Sequence, residues 1–176
     1  SSILEYTYEK AFVKTDKTDN VKTFMGYVRK NGDVGIRNDI WIVNTVGCVN
    51  KIAQAIAEKT GAKYFPHPFG CSQLGDDQSV TQKILKGMVN HPNAAGVLVL
   101  GLGCENNQMK DFKDTSEPYD EDRVSFMVAQ EEEDEIAKGV ELLEELYAKA
   151  RLDERSTCPV SKLKIGLKCG GSDGLS

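Results

Sequence analysis

Short apolar runs that alternate with segments of helical period are the feature that most constrains how this chain folds. Residues 40–46 form a brief, β-branched and mostly apolar run, which is typical of a strand buried on both faces. Residues 49–60 then place apolar side chains at helical spacing, and Gly61 follows as a stop signal. A strand followed by a helix of this length predicts one unit of an α/β fold.

The same pattern recurs along the chain and extends the prediction to a whole sheet. Further strands are predicted at residues 62–65, 95–100, 123–128 and 163–167. Further helices are predicted at residues 79–89, with Val80, Ile84, Leu85 and Met88 facing inward, and from the acidic run 131–135 to about residue 150. Residues 105–120 are polar and predict a short helix and a loop. Strands that alternate with helices predict the doubly wound α/β class, a mostly parallel sheet with helices on both faces.

The organisation of the chain follows from where this pattern starts and stops. Residues 1–23 mix aromatic and polar residues without a sustained period, which predicts a linker. We expect the main α/β domain at residues 24–155, and the last strand with the start of a truncated C-terminal domain at residues 156–176. A chain of 176 residues, 40% of them hydrophobic, buries one core of this kind and little more.

Charge and hydropathy argue against two classes of partner. The chain has 27 acidic and 22 basic residues, a net charge of -5, and lacks a cluster of Lys and Arg that would follow a phosphate backbone. No apolar run has the roughly 18–20 residues that span a bilayer, and residues 1–5 lack the basic and then apolar order of a signal peptide. We therefore expect a cytoplasmic protein that binds neither nucleic acid nor a membrane.

The cysteines lie far apart in the sequence. They are Cys48, Cys71, Cys104, Cys158 and Cys169, an odd number without a C-x-x-C pair. This spacing argues against a disulfide scaffold, a zinc ribbon and a thioredoxin-type redox site. In a reducing compartment such cysteines are either small buried apolar residues or reactive ligands.

The residues that follow the strands are candidates for a site, because open α/β sheets bind ligands outside the carboxyl ends of their strands. They are Cys48 after the first predicted strand, His67 and Cys71 after the second, Cys104 after the third, Gln130 after the fourth and Cys169 after the fifth. Neighbouring glycines let backbone N–H groups approach a ligand closely. A cysteine that only fills the core would fall within strands or on inner helix faces. The joint placement predicts a Cys/His site, while each cysteine taken alone fits a packing role equally well.

The two histidines differ in their place in this pattern. His67 lies between Pro66 and Pro68, which stiffen its loop, and a role as base or metal ligand competes with a loop-packing role. His91 precedes a strand and is predicted to be a turn residue at the opposite edge of the sheet. Cys158 precedes the last predicted strand, and we expect it to be incidental to the site.

Two further motifs are weaker. Arg37 comes just before the first strand, at the far edge of the sheet unless the preceding Gly-rich turn folds back. Its guanidinium suits a carboxylate, with a salt bridge as the ordinary alternative. Gly101 and Gly103 begin like a dinucleotide-binding loop, but Asn106 stands where the third glycine would be. A nucleotide site is therefore not favoured.

Five sequence motifs in a fixed order resemble one enzyme family. They occupy residues 26–38, 45–48, 67–73, 101–105 and 169–174. The family is that of the altronate/galactarate dehydratases, and the resemblance runs from about Phe24 to the last residue. It implies a SAF domain ahead of the linker, a further C-terminal domain, and a divalent metal, iron or manganese. On its own the segment is then expected to be inactive, and a homo-oligomer is compatible with the resemblance.

The resemblance also implies a reaction and roles for particular residues. Family members remove the proton α to the carboxylate of a sugar acid and expel the β-hydroxyl, which gives a 2-keto-3-deoxy acid. We expect altronate as the substrate and iron(II) or manganese(II) as the metal. The expected metal ligands are Cys48, His67, Cys71, Cys104 and Cys169. His67, Cys71 and Glu105 are the candidate catalytic residues, with His67 either a ligand or the base. Substrate binding is expected from Arg37, Ser72, Gln73, Asn106, Lys168 and Asp173, with ordinary loop capping as the alternative for Ser72, Gln73 and Asn106.

Two alternative functions stay open at this point. A carbon–sulfur lyase similar to sulfolactate sulfo-lyase would use the same α-proton chemistry with sulfite as the leaving group. A non-catalytic module would use the Cys/His edge for a structural metal or for an interface, and would have no affinity for sugar acids. Release of sulfite distinguishes the first alternative, and a bound metal without an open coordination position distinguishes the second.

Overall fold

The computed structural model describes residues 22–113, 118–168 and 170. The linker predicted at residues 1–23 lies almost wholly outside them. The described strands are β1 (Thr23–Val28), β2 (Val34–Gly35), β3 (Asp39–Asn44), β4 (Lys63–Phe65), β5 (Ala94–Gly101), β6 (Val124–Val128) and β7 (Ser156–Pro159). The described α-helices are α1 (Asn50–Thr60), α2 (Gly75–Val89), α3 (Met109–Lys113) and α4 (Glu135–Ala150). None of these four helices is long and apolar enough to cross a membrane.

A parallel sheet with the order β4-β3-β5-β6 forms the centre of the molecule. Its two middle strands are almost completely buried, because helices cover both faces. Alternate residues of β3 enter different cores: Ile42 packs with α1 and α4, whereas Val43 packs with α2. This arrangement confirms the predicted doubly wound α/β class.

The strand order creates a switch point between β3 and β5. The helix that follows β3 is α1, which lies on the same face as α4, with Ile56 and Leu143 in one core. The helix that follows β5 is α3, whose Met109 packs into the core on the other face. Because the chain leaves these neighbouring strands toward opposite faces, a crevice opens at their carboxyl ends.

A second, antiparallel sheet was not predicted from the sequence. It has the order β2-β1-β7, and β7 pairs with β1 from Thr23 opposite Pro159 onward. Cys158 is buried in β7, so it has a packing role. The boundary placed after residue 155 therefore separates two paired strands in this structure.

The prediction of a fifth parallel strand at residues 163–167 is wrong. These residues belong to no strand, and Ile165 and Leu167 are 74% and 94% exposed. Lys164 instead pairs with Asp33 beside β2, at 2.9 Å. An alternating apolar run forms a strand only where another strand offers its backbone groups, and none does so here among the described residues.

The inward face of α2 also differs from the prediction. The helix begins at Gly75, four residues earlier than expected, and it buries Leu85 and Val89 against the sheet. Val80 and Ile84 were predicted to face inward, but they are 53% and 59% exposed. The helix carries apolar residues on two faces, so spacing alone did not identify the buried one.

A partly buried ionic cluster joins the two sheets. The Asp153 carboxylate accepts hydrogen bonds from Arg29 at 3.2 Å and from Arg123 at 2.9 Å. Asp153 follows α4, Arg29 directly follows β1, and Arg123 directly precedes β6. Burial tends to raise the pKa of Asp153, but hydrogen bonds from Arg123 and Asn38 and the nearby positive charges hold it below its ordinary value. Two guanidinium groups therefore share the Asp153 carboxylate, and Arg123 also pairs with Asp120 at 3.6 Å.

Replacing Asp153 with Asn should lower the free energy of unfolding by about 2 kcal/mol. This is less than the cost of breaking a fully buried ion pair, because these side chains are partly exposed to solvent. The substitution removes the carboxylate that both guanidinium groups share, so Arg29 loses its ion-pair partner and Arg123 keeps only Asp120, at 3.6 Å. Urea denaturation of this chain measures the effect, with Glu154→Gln at the exposed neighbouring position as the control. Equal unfolding midpoints for the two variants would show that the cluster contributes nothing.

Candidate functional site

Three loops meet at the carboxyl edge of the parallel sheet. The first rim loop (residues 45–49) follows β3, the second rim loop (residues 66–74) follows β4, and the third rim loop (residues 102–108) follows β5. Each carries one of the predicted cysteines, and the second also carries His67. The predicted edge is thus where the structure brings these residues together.

Hydrogen bonds from Asn50, the first residue of α1, tie the first and second rim loops together. Its side-chain amide donates to the His67 carbonyl and its oxygen accepts from the His67 backbone N–H, both at 2.9 Å. The Gly47 N–H donates to the Phe69 carbonyl at 2.7 Å. A Cβ at Gly47 would lie 3.0 Å from the His67 carbonyl oxygen, so this close approach requires glycine.

The first and third rim loops meet at Thr45. Its hydroxyl donates to the Glu105 carboxylate at 2.6 Å, and its carbonyl accepts from the Asn107 side chain at 3.0 Å. The Thr45 N–H continues the ladder of β5 by donating to the Leu100 carbonyl at 3.0 Å. These bonds span the switch point itself.

Asn106 joins the second and third rim loops. Its side-chain amide donates to the carbonyls of Cys71 at 2.9 Å and Gln73 at 3.0 Å. The side chain of Gln73 donates in turn to Thr81 of α2 at 2.9 Å. Both residues were predicted to bind substrate, and in this structure their amide N–H groups hold loops in place. All three pairs of rim loops are thus hydrogen-bonded to each other.

Glu105 is the anionic centre of the third rim loop. Its carboxylate is buried and accepts from the N–H groups of Leu102 at 2.9 Å and Gly103 at 2.6 Å, in addition to Thr45. Burial alone would raise the pKa of Glu105, but these hydrogen bonds outweigh it and lower the pKa below its ordinary value. A carboxylate fixed in its charged form by several donors is suited to shaping the loop rather than to carrying protons.

The backbone around Glu105 requires two glycines. A Cβ at Gly101 would lie 2.5 Å from the Glu105 Oε1 atom, so any side chain there displaces the carboxylate. Gly103 has φ = 125°, a conformation that other residues rarely adopt. The glycines that look like part of a nucleotide-binding loop therefore make room for an internal carboxylate.

The three rim cysteines, Cys48, Cys71 and Cys104, are exposed free thiols. Partial desolvation raises the pKa of the Cys71 thiol, and the negative charges of Cys104, Cys48 and Glu105 raise it further. The charges of the other two thiolates therefore act on Cys71, as expected for groups on three bonded loops. Among the residues that the structure describes, however, no three His, Cys, Asp or Glu side chains come together closely enough to hold a metal ion.

His67 is buried under the second rim loop. Its Nδ1 atom lies 3.0 Å from the Phe69 carbonyl oxygen and 3.1 Å from the Phe69 nitrogen. Its Nε2 atom has no hydrogen-bond partner among the residues that the structure describes. Burial lowers the pKa of His67, so the ring is neutral near pH 7. In the tautomer in which Nδ1 donates to the carbonyl, Nε2 keeps a free lone pair, as a base or a metal ligand requires.

Two asparagines at this edge were missed by the sequence reasoning. Asn44 ends β3 and Asn107 lies near the end of the third rim loop. The side-chain oxygen of each is buried, with no hydrogen-bond partner in the part of the chain that the structure describes. Buried polar atoms are normally paired with protein or water. A polar residue at the end of an otherwise apolar buried strand is the one sequence signal that could have indicated Asn44.

The remaining predicted residues lie in different parts of the described structure. Arg37 is exposed at the opposite edge, where its backbone N–H donates to Asn93 at 3.2 Å. His91 is also at that edge, as predicted, and its ring lies against Trp41 at 4.9 Å. Ser72 is exposed on the second rim loop, and Gln130 lies beside Gly103 of the third rim loop. Lys168 is exposed. Cys169 and Asp173 lie outside the described residues.

Comparison with known proteins identifies the family. The family model described as D-galactarate dehydratase/altronate hydrolase, second domain, matches residues 26–151. The chain belongs to this family. Along its whole length it is 46% identical to an altronate dehydratase of Bacillus subtilis and 48% identical to one of Escherichia coli, of which it spans 38%. It is 33% identical, over 88% of its length, to the (2R)-sulfolactate sulfo-lyase subunit beta of Chromohalobacter salexigens, of which it spans 40%. The family resemblance seen in the five motifs is confirmed.

Proposed function

We propose that this chain is part of a sugar-acid dehydratase that converts altronate to 2-keto-3-deoxygluconate and water. The observation that carries the proposal is the identity of 46% and 48% to two altronate dehydratases over the whole chain. The bonded rim loops at the switch point support it, because such crevices are where α/β folds bind small molecules. We assign the activity to a longer protein that contains this chain, because the chain spans only 38% of each altronate dehydratase.

The chemical difficulty of the reaction is the weak acidity of the proton next to a carboxylate. A positioned base must take this proton while the negative charge that develops on the carboxylate is stabilised, after which the β-hydroxyl leaves. The resulting enol then becomes the 2-keto-3-deoxy acid.

His67 is our candidate for the base. It is the histidine at the rim, burial keeps it neutral, and its Nε2 atom is unpaired within the described structure. Because Nε2 is not exposed, the substrate must displace part of the second rim loop to reach it. Ser72 lies on that loop with its hydroxyl exposed, and we assign it to a substrate hydroxyl. Cys71 and Cys104 are assigned to a metal rather than to proton transfer.

The side chains at the rim determine which of the metals implied by the family resemblance they suit. Thiolates are soft ligands, which suit iron and disfavour manganese(II). The described side chains do not gather into a set for one ion. Iron therefore fits the donor atoms, and a single manganese(II) ion does not. Exposed free thiols also favour a reducing compartment such as the cytoplasm.

A carbon–sulfur lyase is the second candidate, because the sulfo-lyase subunit is 33% identical to this chain. The deciding experiment uses the full-length protein, purified without oxygen, and offers it altronate and sulfolactate separately. Keto-acid formation from altronate without sulfite release supports the dehydratase. Sulfite release from sulfolactate alone would replace it with the lyase, and binding of neither compound would favour a non-catalytic module.

A further inference from the structure

The three rim cysteines come from three different strand ends, yet one hydrogen-bonded framework holds them. Asn50 and Gly47 fix the loop of Cys48 to the loop of Cys71. Asn106 fixes the loop of Cys71 to the loop of Cys104, with a bond of 2.9 Å to the Cys71 carbonyl itself. Hydrogen bonds of Thr45 with Glu105 and Asn107 connect the loop of Cys48 to the loop of Cys104. Three exposed thiols are thereby held in a fixed relation to each other.

This framework does not match a single-ion site. Four ligands around one zinc ion lie at about 2.3 Å from it, which brings sulfur atoms into contact with one another. Within the described ranges no group of three potential ligands is that compact. The nearest carboxylate, Glu105, is already engaged by Thr45 and by backbone N–H groups. The rim therefore offers three exposed thiols on hydrogen-bonded loops but, among the described residues, no single-ion site.

An iron–sulfur cluster accommodates cysteines that are spaced more widely than the ligands of one ion, because each cysteine binds a different iron atom of the cluster. Thiolates are the ligands that such clusters use, and the rim offers three of them with their side chains exposed. A cubane cluster has four irons, so three cysteines leave one iron without a thiolate. That iron is an acceptor for oxygen ligands, and a hydroxy acid supplies carboxylate and hydroxyl oxygens.

We propose that Cys48, Cys71 and Cys104 hold a [4Fe–4S] cluster whose fourth iron has no cysteine ligand and binds the oxygen atoms of the substrate. The inference rests on the proposed function for the identity of that substrate, but the cluster site itself rests on the three bonded loops. The cluster binds the hydroxy acid as a Lewis acid, so no change of its oxidation state is part of the proposal.

The test uses the full-length protein, reconstituted without oxygen with ferrous iron and sulfide. We expect about four irons and four acid-labile sulfides per chain, visible charge-transfer absorption, and an EPR signal after reduction. Cys48→Ala, Cys71→Ala and Cys104→Ala should each reduce the bound iron and sulfide at least fourfold. Cys158→Ala is the matched control, because this cysteine is buried in β7 and should keep the full content.

Cys169, which lies outside the described residues, decides whether the fourth iron is open. Cys169→Ala should retain the cluster, and altronate should then change the EPR signal in both this variant and the wild type. Loss of the cluster in Cys169→Ala, or iron bound without sulfide, overturns the proposal. A cluster that forms in a protein without keto-acid production would refute the proposed function and leave the cluster standing. Turnover with a single bound metal ion would overturn the cluster proposal and leave the proposed function standing.

Discussion

Replacing His67 with Gln in the full-length enzyme is expected to lower kcat by about 10²–10⁴-fold, the usual contribution of a positioned base. Glutamine can still bond the Phe69 backbone but cannot take a proton. In the wild type, the acid limb of kcat/KM should lie below the ordinary histidine pKa of about 6.5, because burial lowers the pKa of His67. Keto-acid formation from altronate, followed across pH, measures both effects.

The matched control for this variant is His91→Gln at the opposite edge, which removes the only other histidine in the chain. It should leave kcat and KM within about twofold of the wild type, as expected for a surface position. A His67→Gln protein that is folded, by circular dichroism and thermal unfolding, and retains turnover within tenfold would eliminate His67 as the base.

Glu105→Gln should destabilise this chain by about 3 kcal/mol at pH 7, since hydrogen bonds to a buried charge contribute roughly 1.5–3 kcal/mol each and are not additive. The glutamine amide has one acceptor oxygen where the carboxylate has two, and its NH2 group would face the N–H group of Leu102 or Gly103, which is also a donor. Urea denaturation measures the loss. Glu144→Gln, on an exposed face of α4, is the control and should change stability by at most about 0.5 kcal/mol.

The same carboxylate predicts how stability depends on pH. The folded pKa of Glu105 is lowered, so its stabilising contribution is complete above the unfolded value of about 4.3 and is lost as pH falls through the folded value. The wild type should lose this contribution on acidification, whereas Glu105→Gln has none to lose. His67, whose pKa is also lowered, reduces stability as pH falls below about 6.5 in both proteins, so it cancels in the comparison. Parallel stability curves below pH 5 would contradict the role given to Glu105.

The parallel sheet could be predicted because its strands are short, apolar and locally periodic. The antiparallel sheet could not, because β1 and β7 pair across about 130 residues and include polar side chains on their exposed faces. The face of α2 was misassigned for another reason. Val80 and Ile84 have the same helical spacing as the buried Leu85 and Val89, and only the position of the sheet distinguishes them.

The rim cysteines could be predicted because a residue that follows a parallel strand is placed by the strand itself. The side chains that fix the loops could not, because Asn50, Asn106 and Glu105 act through hydrogen bonds to backbone groups of other loops. Such bonds depend on three-dimensional loop paths and leave no periodic trace in a sequence. For the same reason, Asn106 and Gln73 were expected to bind substrate, while the structure uses them to connect loops.

The pairing of β1 with β7 determines how this unit connects to any longer polypeptide. The Val160 N–H donates to the Lys22 carbonyl at 3.0 Å, so the stretches on either side of the parallel-sheet unit run next to each other. Segments joined before β1 and after β7 would therefore emerge side by side rather than from opposite ends of the unit. A unit whose two ends are adjacent can be inserted into another domain of the same chain without moving apart the segments that precede and follow it.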